Sequence, residues 1–277
     1  LSESDPAFVS FLSDYGLADE FAGVCKAVIL RVAPDARVID ITHEIPPHDV
    51  RAGALTLARA AQYLPRGVVL AVVDPGVGTE RRGVAAEVES GYLVGPDNGL
   101  LAPAVAMLGG AKRVVSLTNP DYQMESPGPT FAGRDVFAPA AGYLATGVDL
   151  AELGEQIDPL SLVPGLVPLS RPDGDGLAGE VLWVDRFGNV QLNLDPDELT
   201  TLGLRRGDRL GVGIGGERRT ARWVTTYAEA QSMELVVVVD SYGLVSLAFD
   251  RSSAAEALGL GAGAAVTLRR LAPEGAP

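Results

Sequence analysis

Cysteine is almost missing from this sequence. One residue in 277, Cys25, excludes an intramolecular disulfide framework, and a reducing, cytoplasmic setting fits that scarcity. Cys25 lies in EFAGVCKAVILRV, where Phe21, Val24, Cys25, Val28, Ile29 and Val32 recur at helical spacing, so it reads as a buried small hydrophobe. No apolar run reaches the roughly 18 residues of a membrane span. The opening stretch, LSESDPAF, lacks the basic and apolar regions of a signal peptide. It also lacks a starting Met, which we read as trimming or a tag. Basic residues are few: 22 Lys and Arg face 36 Asp and Glu, for a formal charge of −14. Such a surface repels phosphate backbones, so nucleic acid is a poor partner, whereas a cationic small molecule is attracted. Acidity also serves solubility alone. No Gly-x-Ser-x-Gly elbow occurs, which argues against ordinary acyl-enzyme chemistry. What is present, 47% apolar and 21% charged residues, is a globular composition.

The first half alternates strands and helices. AFVSFLSD, ARVIDIT and GVVLAVVD read as buried strands ending at Asp14, Thr42 and Asp74. The Cys25 helix and DVRAGALTLARAAQYL lie between them, the latter with Asp49 as N-cap and Pro65 beyond its end. RGVAAEVESGYLVG reads as strand–turn–strand, GLLAPAVAML as a helix, RVVSLT as a strand and RDVFAPAAGYLAT as a helix. This alternation predicts an α/β N-terminal domain, residues 1–167, with a mainly parallel sheet. The Pro-, Gly- and Asp-rich segment 168–179 reads as a linker. Seven short strands follow: EVLWVD, NVQLNL, RLGVGI, TARWV, LVVVVD, LVSLAF and AVTLRR. They predict a small C-terminal β-barrel or sandwich over residues 180–277.

Ligands of open α/β sheets bind beyond the carboxyl ends of strands. Asp14, His43 and Asp74 follow three such ends, so two carboxylates and an imidazole converge if the strands are neighbours. DPGVGTERR (74–82) supplies a tight turn from which Arg81 or Arg82 can fold back onto Asp74; an arginine orients and stabilises but cannot act as a base. This is no phosphate loop, because the Gly-Lys-Ser/Thr ending is missing. His43 and His48 in THEIPPHD approach a zinc-protease pattern, but the spacing is one residue too long and Pro46-Pro47 breaks the helix it needs. His43 therefore reads as a hydrogen-bonded loop histidine, and no metal is expected. The glycines of GLGAGAAV lie in the β half and open no helix after a first strand, so they are not a dinucleotide fingerprint. DRFGN (185–189) fits either a hairpin turn or a pair, Asp185 and Asn189, aimed at a ligand. PTFAGRD (129–135) packs a hydroxyl, an aromatic ring, a glycine, a guanidinium and a carboxylate into a short stretch.

In order along the chain, FLSDYG, ITHEIPPHDV, VVDPGVGTERR, GPDNGLL, PTFAGRDVFAPAA, DRFGN and DSYGLVSLAF resemble the adenosine-forming S-adenosyl-L-methionine (SAM) hydrolases, or SAM hydroxide adenosyltransferases. The SAM-dependent fluorinase and chlorinase belong to the same superfamily. The resemblance covers nearly the whole chain. It implies an N-terminal α/β domain, a C-terminal β-barrel, and a homotrimer binding SAM between subunits. It also implies attack of water or hydroxide at ribose C5′ with methionine leaving, and no cofactor.

The resemblance carries residue roles with it. The family's water-handling Asp and Arg map to Asp74 and Arg81, and its His maps to position 132, where this chain has Ala132. Asp14 corresponds to the carboxylate that chelates the ribose hydroxyls. His48 stands where the fluorinase has a Trp near the ribose, and Phe131 and Gly133 line the nucleophile pocket. Asp185 corresponds to the partner of the methionine ammonium, Asn189 to the amide reading the adenine edge, and Ser241 to a contact at the methionine end. Tyr242, Phe249 and Arg251 lie in adjoining strands, with side chains unlike those of the halogenases. The implied activity is SAM hydrolysis impaired at Ala132, most simply by a His-to-Ala substitution. The rival readings are a SAM- or adenosine-binding protein without turnover and a halogenase. The halogenases carry Tyr at position 74, and a carboxylate there disfavours a halide.

Overall fold

The computed structural model describes residues 7–271, so the first six residues of the opening stretch lie outside it. The chain divides into two compact units, Leu1–Val167 and Pro168–Pro277.

The first unit carries seven strands: β1 Phe8–Ser13, β2 Arg37–Thr42, β3 Gly67–Val72, β4 Gly83–Val88, β5 Gly91–Pro96, β6 Arg113–Ser116 and β7 Glu155–Ile157. They form one sheet in the order β2-β1-β3-β5-β4-β6-β7. The first four are mutually parallel. β4 runs against both β5 and β6, so β6 points the same way as β5 and only β4 and β7 are reversed. The sheet is therefore mainly parallel.

Helices α1 (Phe21–Val32), α2 (Val50–Ala61), α3 (Ala102–Met107) and α4 (Ala138–Ala145) cover it. Strand alternation sorts them into layers. Val68, Leu70 and Val72 of β3 share a core with Cys25 and Ile29 of α1 and Ala141 of α4. Val69 and Ala71 share another with Leu57 of α2 and Val105 of α3. Burial holds the Cys25 thiol up at about 12, so it is an inert packing group. The stripe expected on α1 is only partly core: Phe21 is 39% exposed, and Val24 and Val32 are half-buried. Asp49 caps α2 by accepting from the Ala52 N–H at 2.9 Å.

The helix expected across RDVFAPAAGYLAT opens as a π segment, Gly133–Phe137, before α4. Pro139 accounts for part of this. It has no N–H to offer the Asp135 carbonyl one turn back, and the Met124 N–H donates there instead, at 2.8 Å. The loop preceding the segment is thereby tied to it.

The second unit comprises β8 Arg171–Asp173, β9 Gly176–Val184, β10 Val190–Leu192, β11 Arg209–Ile214, β12 Glu217–Trp223, β13 Val236–Val239, β14 Val245–Ala248 and β15 Ala265–Arg270. The order β10-β14-β13-β12-β11-β15-β9 closes through β9–β10 pairing into a seven-stranded barrel, with β8 added outside β9. Its core holds Val181, Leu192, Val212, Val237, Leu247 and Leu268. The segment 168–179 differs from the linker reading. β8 and the start of β9 pair as a hairpin across Gly174, whose positive φ of 60° makes the turn.

Candidate active site

The order β2-β1-β3 makes the three carboxyl ends adjacent. The Gly16 N–H donates to the His43 carbonyl at 2.7 Å and the Asp14 N–H to the Val72 carbonyl at 3.3 Å, so the segment after β1 is tied to both neighbours. His43 is 3% exposed, with Nδ1 2.7 Å from Ser13 Oγ and Nε2 3.2 Å from Asp40 Oδ1. Both ring nitrogens are engaged, which is the structural role read from the sequence. His48 is exposed and adopts φ 68°, uncommon for a residue with a Cβ. That turn aims its N–H at Asp14 Oδ2, 2.9 Å away.

Asp74 lies two residues beyond β3. Its Oδ1 accepts from Arg81 Nε at 2.8 Å, and its Oδ2 accepts from Arg81 Nη2. The intervening turn is pinned by Val77 and Thr79 N–H bonds to the Asp74 and Gly76 carbonyls. Arg81 also stacks over Phe137, 5.1 Å from the ring centroid. Arg82 goes elsewhere, to Asp97 Oδ2 at 3.0 Å through Nε, which resolves which of the two arginines folds back. The Asp74 side chain is 6% exposed and Arg81 17%. The pair is bidentate and rigid, yet each carboxylate oxygen keeps a lone pair for a further donor.

Asp14, His48, Asp74, Phe131, Ala132 and Gly133 line one cavity of about 690 Å³. Thr130 and Arg134 of PTFAGRD line it too, with Tyr15, Phe21 and Val77, to which the motif reading assigned no site role. Tyr15, Phe21 and Phe131 form an aromatic wall with ring centroids 5.1–5.8 Å apart. Burial pushes the Tyr15 phenol well above its usual value, and the charges of Asp14 and Asp74 add to this. Gly133 is required by space: a Cβ there would sit 2.1 Å from the Tyr15 hydroxyl oxygen. Arg134 pairs with Asp135 through Nε at 2.5 Å and lies 5.0 Å over the Phe131 ring. Ala132 also borders a second cavity of about 500 Å³ that reaches Arg81 and Asp135.

In the second unit, Asp185, Asn189, Ser241 and Tyr242 line a cavity of about 270 Å³. DRFGN is a hairpin turn, with Gly188 at φ 82°. Asp185 Oδ1 accepts from the Phe187 and Asn189 N–H groups at 2.9 and 2.8 Å, and its Oδ2 from Asn189 Nδ2 at 2.8 Å. The turn thus presents the acid and the amide together at the cavity wall. Phe249 packs half-buried against the barrel core and bridges to Ser252, while Arg251 is 92% exposed at φ 52°. Neither lines this cavity.

Asp240 was not read from the sequence. It accepts from Gln191 Nε2 at 2.6 Å, Ser246 Oγ at 3.0 Å and the Tyr242 and Leu244 N–H groups at 2.9 and 3.2 Å. Its signal was an Asp opening DSYG, the pattern of an Asx turn. No group of three or more His, Cys, Asp or Glu side chains that could hold a metal ion exists among the described residues. No helix among them is long and apolar enough to cross a membrane.

The SAM hydroxide adenosyltransferase N-terminal domain matches residues 9–154, and the C-terminal domain of the same family matches 179–267. A protein of Salinispora tropica named (R)-S-adenosyl-L-methionine hydrolase is 49% identical over 253 residues, 91% of this chain and 94% of that one. A fluorinase of Nocardia brasiliensis is 29% identical over 290 residues, 94% of this chain and 96% of that one. The crystal structure of an uncharacterized conserved protein from Thermotoga maritima superposes with a TM-score of 0.88 at 33% identity. It covers 95% of this chain and all of that one.

Proposed function

The chain belongs to the SAM hydroxide adenosyltransferase family, and from that premise we propose that it hydrolyses (R)-S-adenosyl-L-methionine to adenosine and L-methionine. Water attacks ribose C5′, the C5′–S bond breaks, its electron pair returns to sulfur as neutral methionine thioether, and one water proton is released. The sulfonium is already a good leaving group, so the protein's task is to orient water in line with that bond.

The observation that carries the reading is the Asp74–Arg81 pair at the wall of the 690 Å³ cavity. Asp74 accepts a proton from the attacking water, and Arg81 fixes the carboxylate and stabilises developing hydroxide. Asp14 offers its free carboxylate capacity to the ribose hydroxyls, and the aromatic wall of Tyr15, Phe21 and Phe131 suits a sulfonium cation. In the second unit, Asp185 pairs with the methionine ammonium, Asn189 reads the adenine edge and Ser241 contacts the methionine end. Tyr242, Phe249 and Arg251 contribute backbone. The active species is a homotrimer with sites at subunit interfaces, working in the cytoplasm without a cofactor. A carboxylate at position 74 repels a halide, which favours water over chloride or fluoride.

Ala132 is the family's histidine position, so turnover is slowed while binding is kept. The test is adenosine release from SAM by this chain and by Ala132→His. A rise of about 10²–10⁴-fold is expected from restoring an acid–base or orienting group. SAM binding without product from either chain supports the rival reading of a binding protein and overturns this one.

A further inference from the structure

Tyr15 follows Asp14 just past β1, and its side chain enters the cavity that Asp74, Ala132 and Gly133 also line. The ring is held on two sides, with centroids 5.8 Å from Phe21 and 5.7 Å from Phe131. The Tyr15 N–H donates to Ser13 Oγ at 3.3 Å, fixing the backbone behind it. The hydroxyl lies hard against the Gly133 backbone, next to the residue that lacks its imidazole. No hydrogen bond to this hydroxyl forms among the described residues. A rigid phenol with a free O–H at the wall of a cavity that Asp14 and Asp74 also line is placed to donate to a polar group that occupies it. Burial keeps it protonated, and the carboxylates of Asp14 and Asp74 reinforce that, so it remains a donor under all ordinary conditions.

We propose that Tyr15 is a water-orienting catalytic residue of this site, its phenol O–H donating to the attacking water on the side that Ala132 leaves open. The proposal rests on the hydrolase reading. One lone pair of the water accepts from Tyr15 and the other faces C5′. One water proton is held by Asp74 and transferred to it as the C–O bond forms. The C5′–S electrons leave with methionine, and Tyr15 keeps its own proton throughout. In the presence of an imidazole at position 132, the same water has a second orienting partner and depends on the phenol less.

Four chains decide this: the protein as it stands, Tyr15→Phe, Ala132→His and the double variant, each assayed for adenosine release across SAM concentrations. Phe keeps the ring contacts, so the fold is retained. With Ala132 present, Tyr15→Phe is expected to lower kcat about tenfold, the weight of one lost hydrogen bond, with KM changed less than about twofold. In the Ala132→His background the loss shrinks below about threefold. An unchanged kcat, a change in KM alone, or the same loss in both backgrounds overturns the assignment. Turnover by Ala132→His with none by the parent chain refutes Tyr15 while leaving the hydrolase reading intact. No adenosine from any of the four defeats the hydrolase reading and this proposal with it.

Discussion

Replacing Gly133 by alanine puts a methyl carbon 2.1 Å from the Tyr15 hydroxyl oxygen, 3.0 Å from Cζ and 3.2 Å from Cε2. Ordinary non-bonded contact begins near about 3.5 Å, so one partner must move by more than about 1 Å. Neither moves freely. Gly133 is buried in the π segment, and the Tyr15 ring is held between Phe21 and Phe131. Overpacking of this kind costs about 1–3 kcal/mol, which in a unit of this size lowers the melting temperature by about 2–4 °C per kcal/mol. The site suffers as well, because a displacement of about 1 Å at a reacting centre costs up to about 10²-fold in rate. Calorimetric melting and an adenosine-release assay measure the two effects. The pair Gly133→Ala and Tyr15→Phe isolates the cause, because removing the hydroxyl relieves the worst contact and leaves the milder approaches of 3.0 Å to Cζ and 3.2 Å to Cε2. The stability loss of Gly133→Ala should then shrink by more than half. A Gly133→Ala chain that melts with the parent, or a loss that persists undiminished in the double variant, refutes the steric reasoning.

Asp74→Asn keeps the shape of the Arg81 pair but removes the proton acceptor. Turnover should fall about 10²–10⁴-fold with SAM affinity largely retained, as read by adenosine release and titration calorimetry. In the second unit, Glu234 accepts from Arg222 Nε and Nη2 at 2.8 and 2.7 Å and from the Gln231 N–H at 2.9 Å. Arg222 is the main cause that holds its carboxyl down to about 2, against an ordinary 4.5. A lowered carboxyl stabilises the fold fully above pH 4.5 and loses that contribution as pH falls toward 2. Glu234→Gln should therefore melt below the parent at pH 7, with the difference closing between pH 4.5 and 2; a constant difference across that window contradicts the linkage.

Local patterns revealed much of this molecule before its long-range contacts were known. Asp49 sits one residue before an amphipathic run, and it caps α2. The turn DPGVG is compact enough to return an arginine seven residues later to Asp74, and the sequence left Arg81 and Arg82 open because both are near enough. Arg82 is taken by Asp97 at 3.0 Å, across the base of the β4–β5 hairpin in which Gly83 pairs with Pro96. Tyr15 escaped notice. A tyrosine after a strand-end Asp carries no local signal, and its meaning comes from Gly133, far along the chain. The Asp240 hub joins Gln191 to a loop 49 residues away, which no spacing rule could find. The linker reading of 168–179 gave way because Gly174 favours a hairpin as readily as a flexible connector. Phe21 fitted a buried helical stripe by periodicity, but it opens α1 and faces the cavity instead.

The most direct test of the central claim is hydrolysis of SAM in H₂¹⁸O by the Ala132→His chain, with mass analysis of the nucleoside. Attack of water at C5′ predicts adenosine carrying one ¹⁸O at its 5′-hydroxyl and unlabelled methionine. Adenosine without the label, or 5′-chloro-5′-deoxyadenosine formed in the presence of chloride, would contradict it.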